Sequence, residues 1–175
     1  GAISNYLVAL DDDRLLITSD DPPLAALPNH ACLPLAHRKI LHGTILTRGA
    51  EAQTAYNYAL DEWRILTASA LVGMARKALE LGVNYAKERQ QFGRPIGSFQ
   101  AIQHLLADLP GLIDGARLLT SKAAWAGDRD GAGTIDLDNN NISDFSVLAT
   151  MALVQSGESA GVATDRSLHV HGGYG

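Results

Sequence analysis

Residues 50–90 constrain the fold more than any other part of the chain. Apolar residues recur there every three or four positions, at Ile65, Ala68, Val72, Ala75, Leu79, Gly82 and Ala86, which is the period of one face of an α-helix. A second stripe, Leu71, Met74, Ala78, Leu81 and Tyr85, runs beside the first. Together they make a wide apolar arc and predict a helix covered on more than one side. An unbroken helix over 50–90 spans roughly 60 Å at about 1.5 Å per residue. Such length suits a bundle or an oligomer core rather than a small mixed domain.

Two more helical segments follow. One begins near Ser98, taken as its N-cap, with a stripe at Ile102, Leu106, Leu109, Ile113, Ala116, Thr120 and Ala123. Pro110-Gly111 lies inside that stripe and should kink or break the helix. A polar loop, "GDRDGAGTIDLDNNN", precedes a third helix over about 143–168. The small residues Ala149, Ala152, Ser156, Ala160 and Ala163 form a ridge there that permits close helix approach. Gly157 and Gly161 each cost about 1 kcal/mol against alanine inside a helix, and close packing is the expected compensation.

Residues 1–48 read differently. "ISNYLVAL" and "RLLIT" flank the acidic turn Asp11-Asp12-Asp13, and "RKIL" and "TILTR" flank His42-Gly43, a tight-hairpin pattern. A Pro-rich connection joins the two pairs. Four short strands make a poor domain alone, so 1–48 is expected to be the end of a partial β-domain and 49–175 a helical domain. The expected fold is mainly α: an antiparallel long-helix domain of four-helix-bundle type, preceded by a β-domain tail.

Composition narrows the function classes. With 46% hydrophobic and 19% charged residues the chain is globular rather than disordered. A net charge of −5 argues against nucleic acid as a main partner. The single cysteine, Cys32, permits no internal disulfide and fits a reducing, cytoplasmic setting. No secretory pattern opens the chain, and no apolar run is long enough to span a membrane.

The corner "YAKERQQFGRPIGSFQ" at 85–100 carries the chemistry. Arg89 has two readings. It is a cation in the last turn of a helix, stabilised by the dipole, with Gly93 and Pro95 as stop signals. Alternatively its planar fork pairs with phosphate oxygens, Phe92 offers an apolar face to a flat ring, and Gln91, Gln100 and Gln103 offer amide hydrogen bonds. Gly172 and Gly173 in "HGGYG" either cap a helix or let backbone N–H groups approach a phosphate. His169 and His171 are a weak metal pair without a carboxylate motif. The absence of Glu-x-x-His argues against a di-metal bundle.

"YAKERQQFGRPIGSFQAIQHLLAD" followed by "HGGYG" resembles the C-terminal helical domain of the acyl-CoA dehydrogenases, over residues 50–175. The resemblance implies an FAD flavoprotein, an oxidoreductase of lipid metabolism and β-oxidation that performs α,β-dehydrogenation of an acyl-CoA thioester. A carboxylate removes the α-proton while a β-hydride passes to the flavin. It implies that Arg89 binds the FAD pyrophosphate, usually a neighbouring subunit's. Phe92 would lie against the cofactor, Gln100 and Gln103 near its adenosine half, and Gly172 and Gly173 would approach from the other subunit, with Gln91 counted as a cofactor contact on its amide alone. Asp61 and Arg64 fall on positions near the acyl-CoA site; read alone, they are an intrahelical ion pair.

The resemblance also implies an electron-transfer flavoprotein-type acceptor and a homo-oligomer or a hetero-oligomer with a second dehydrogenase chain. Two departures stand out. Trp63 occupies one of the family's two positions for the base; Glu62, one residue or about 100° of helix away, is the candidate base here, or else a surface or helix-start carboxylate, and the family's other base position lies past Gly175. Trp63 itself either narrows the acyl pocket or is core. His169 stands where the family commonly has glutamine. Trp63 leaves open a non-catalytic, FAD-sharing partner subunit as the alternative function, and the acyl group stays unspecified.

Overall fold

The computed structural model describes residues 6–19, 43–128, 135–136, 141–142 and 144–175. The chain divides into two compact units, Gly1–Ala59 and Leu60–Gly175. In the first, β1 (Tyr6–Asp11), β2 (Arg14–Ser19) and β3 (Thr44–Arg48) form an antiparallel sheet in that order. Asp12 turns the first hairpin at φ 55, an αL position that Asp tolerates better than most residues. The register shifts between Leu15 and Leu16, and both side chains are buried. "RKIL" and His42 lie outside the described residues, so the second expected hairpin has only its "TILTR" strand here, paired to β2.

Helix α1 runs from Gly49 to Glu88, 40 residues without a break. Its first apolar stripe is the buried one: Ala68, Val72, Ala75 and Ala86 lie in the core. Its second stripe is only partly covered by this chain, since Met74 and Leu81 are exposed while Ala78 is buried and Tyr85 half-buried. Helix α2 (Gln100–Ala107) and helix α3 (Leu109–Asp128) follow the corner. The interruption falls at Asp108, and Pro110 sits in the first turn of α3, where a helix needs no N–H donor. Arg166 of the last helix donates from Nη1 to the Leu105 carbonyl at 2.9 Å, satisfying an acceptor at the end of α2. Short strands β6 (Ile135–Asp136) and β7 (Asn141–Ile142) pair before α4 (Phe145–His171). Asp144 caps α4 by accepting from the Val147 N–H at 3.0 Å.

Helices α1, α3 and α4 pack up–down–up. Asp61 meets Ser146, and a Cβ on Gly82 would sit 3.1 Å from the Ser167 hydroxyl, so α1 and α4 run in parallel. Thr120 faces Ser156, and Ser159 donates to the Leu112 carbonyl, so α3 runs against α4. The ridge of Ala149, Ala152, Ser156, Ala160 and Ala163 is buried as expected. Gly157 and Gly161 are not part of it. Both are exposed, and a Cβ at either would meet nothing within 4 Å, so packing inside this chain does not offset their helix penalty. The fold class is as expected: mainly α, long-helix, with a small strand region ahead of it.

Candidate functional site

The corner is built by a tight hairpin. Helix α1 ends with the Arg89 N–H on the Tyr85 carbonyl at 2.8 Å, and the Ile96 N–H bonds the Arg89 carbonyl at 2.8 Å. Between them β4 (Gln90–Gln91) and β5 (Arg94–Pro95) pair around Phe92-Gly93. Both loop residues have positive φ, 52 for Phe92 and 77 for Gly93, as a type I′ turn requires. For a bulky residue that conformation is strained by about 1–2 kcal/mol. The Phe92 side chain is 92% exposed, with the ring edge-on to Phe99 at 6.1 Å. Arg94 lies over Phe99 at 4.1 Å. The turn Ile96–Ser98 then presses on α1, and a Cβ on Gly97 would lie 2.9 Å from the Ala86 carbonyl oxygen.

Ser98 is not the N-cap. Phe99 occupies that position without a capping side chain. The Ser98 hydroxyl instead donates to the Pro95 carbonyl at 2.7 Å, a local turn bond that competes with capping. Gln103 donates from Nε2 to the Gly97 carbonyl at 3.0 Å, which leaves its amide oxygen for a ligand. Gln91 and Gln100 are exposed and make no side-chain hydrogen bond among the described residues.

The end of α4 folds onto this corner. His171 stacks on Tyr85 at 4.3 Å, and its Nδ1 lies 2.7 Å from the Ser167 carbonyl. Gly172 takes φ 59, ψ −130, a conformation that glycine alone adopts readily. Tyr174 brings its ring 5.7 Å from the Arg89 guanidinium. A Cβ at Gly172 or Gly173 would meet nothing within 4 Å. Arg89 is exposed and has no carboxylate partner among the described residues. The two sequence motifs thus meet within one chain. The sequence reading does not single out Tyr85, Phe99 or Tyr174 as corner residues: it puts Tyr85 in an apolar stripe and reads "HGGYG" for its glycines.

The second cluster lies on α1. Asp61 is 4% exposed. Its Oδ1 accepts from Arg64 Nη1 and from Ser146 Oγ, the latter at 3.3 Å. Helix α1 is regular through this turn, so Glu62 and Trp63 lie about 100° and 200° around from Asp61. Both are exposed. The structure therefore joins Asp61 with Arg64 and sets Glu62 on another side of the helix. His169 is exposed, and no cluster of three or more metal-ligating side chains occurs among the described residues. No helix there is long and apolar enough to cross a membrane.

One end of the long-helix bundle thus gathers an exposed arginine with no carboxylate partner among the described residues, a strained aromatic and open glycines. The family model described as "Acyl-CoA dehydrogenase, C-terminal domain" matches residues 53–175. "Probable acyl-CoA dehydrogenase YngJ" of Bacillus subtilis (strain 168) is 35% identical over 99% of this chain and 43% of its own length. "Short-chain specific acyl-CoA dehydrogenase, mitochondrial" of Bos taurus is 37% identical over 99% of this chain and 39% of its own length. Among solved structures, a variant of the Tcur3481-Tcur3483 steroid ACAD superposes with TM-score 0.71 at 29% identity, over 96% of this chain and 44% of that one. The chain belongs to the acyl-CoA dehydrogenase family. It spans about two fifths of the length of these curated relatives.

Proposed function

We propose that this chain is part of an FAD-dependent enzyme that removes hydrogen from the α and β carbons of an acyl-CoA thioester. Family membership supports the reaction class. One structural observation carries the cofactor reading: Phe92 is held with positive φ and its ring in solvent, three residues after an Arg89 that has no carboxylate partner among the described residues. Strain of that kind persists where a function uses it.

The residues present fit a dinucleotide. Arg89 pairs with the diphosphate through its planar fork. Phe92 lies against the cofactor, and Gln91, Gln100 and the free amide oxygen of Gln103 serve its adenosine half. Gly172 and Gly173 admit close backbone approach, since no side chain crowds them. When bound, FAD supplies the acceptor for the β-hydride. Asp61 and Arg64 serve the acyl-CoA end, and Glu62 is the carboxylate offered for the α-proton. The exposed Met74 and Leu81 stripe on α1 suits a sister subunit, which fits FAD shared between chains. An electron-transfer flavoprotein-type protein is the acceptor proposed downstream.

The test is direct. The purified full-length protein should be yellow, bind FAD, and bleach on adding an acyl-CoA. A protein without flavin affinity overturns the reading. Glu62→Gln should slow bleaching about 10²–10⁴-fold if Glu62 is the base; unchanged bleaching assigns the proton to another carboxylate.

A second reading has its own observation. Trp63 stands at one family base position and Glu62 points elsewhere on a regular helix. The chain would then be a non-catalytic subunit sharing FAD with a second dehydrogenase-like chain. Flavin that binds but bleaches only after co-expression with that chain would favour this reading.

A further inference from the structure

Asp61 is the one buried charged side chain among the described residues. A buried carboxylate needs partners, and it has two on a single oxygen, from two helices. Arg64 donates from its own helix, and Ser146 donates at 3.3 Å from the first turn of α4, 85 residues away in sequence. That turn is also the positive end of α4. The cluster is not what joins the helices here, because Ala68, Leu148, Ala149 and Ala152 already pack this region. A buried ion pair is in any case weak evidence for stability. Its effect is local: Arg64 commits Nη1 to Asp61, while Nε and Nη2 have no partner among the described residues.

We propose that Ser146 is a positioning residue for acyl-CoA: by donating to Asp61 Oδ1 it fixes the carboxylate that orients the free N–H groups of Arg64 toward the substrate. This rests on the reading of Arg64 as a substrate contact. The start of α4 thereby becomes part of the acyl-CoA site, although Ser146 touches no ligand itself.

The experiment uses the flavin-loaded, full-length enzyme and a nearly isosteric pair, Ser146→Val and Ser146→Thr. Valine removes the donor, and threonine keeps it in a side chain of nearly the same shape. Valine should raise KM for acyl-CoA about fivefold, the net worth of one hydrogen bond, with kcat and flavin content as in the parent. Threonine should restore KM. A lower thermal midpoint with unchanged KM, or a threonine variant as impaired as valine, overturns the proposal. Arg64→Lys separates the two levels. If it raises KM while Ser146→Val does not, Ser146 is refuted and the Arg64 reading stands. If Arg64→Lys also leaves KM unchanged, the Arg64 reading fails and takes the proposal with it.

Discussion

The corner at 85–99 and the α1 turn at 61–64 both carry an arginine, yet they treat it in opposite ways. Arg64 is paired to a buried carboxylate that a second helix also holds. Arg89 rests near an exposed tyrosine ring, with no carboxylate partner among the described residues and a strained Phe92 three residues on. The first arginine is tied to its own chain through Nη1; the second has no ion pair among the described residues. Polar groups that a fold does not satisfy internally are where ligands and partners act.

That contrast can be broken by substitution. Asp61→Ala should have the largest effect on stability. It removes the buried carboxylate and strands Arg64, so unfolding free energy should fall by about 3 kcal/mol, the low end for a broken buried pair, measured by denaturant titration. Arg89→Ala should leave apo stability within about 0.5 kcal/mol, as an exposed change does. Its FAD affinity should fall about 10- to 100-fold, the range for hydrogen bonds to a charged group, read by flavin fluorescence. Equal losses of stability in the two variants would erase the distinction drawn here.

Phe92→Asn sharpens it further. Asparagine tolerates positive φ and suits the turn, so the apo protein should gain about 1 kcal/mol while FAD binds more weakly. A gain in both would remove the functional reading of the strain. The smallest effect is expected at Gly157→Ala, where added helix propensity is worth at most about 1 kcal/mol and a Cβ meets nothing within this chain. A loss of stability confined to the assembled protein would show that another subunit packs against that face.

Much of the fold was legible because helical periodicity is a local signal. The buried stripe of α1 from Ala68 to Ala86 and the small-residue ridge of α4 follow from side-chain spacing, and the break near Pro110 follows from proline's missing N–H and fixed φ. Ser98 was misread because a hydroxyl before a helix can bond the preceding turn as readily as the helix N–H groups. Gly157 and Gly161 were misread because spacing places them beside the ridge but does not say which side is covered.

The sequence by itself determined the long helices, the residue types gathered at the corner and the family. Only the tertiary structure decided that Tyr174 lies beside Arg89, that Phe92 is turned out at positive φ, and that Ser146 reaches Asp61. The reason is physical. Helix periods arise from bonds four residues apart, whereas the Tyr174–Arg89 and Ser146–Asp61 contacts join segments distant in sequence and exist only once α1 and α4 have packed side by side; the Phe92 conformation is set by the pairing of β4 with β5, which no helical period encodes.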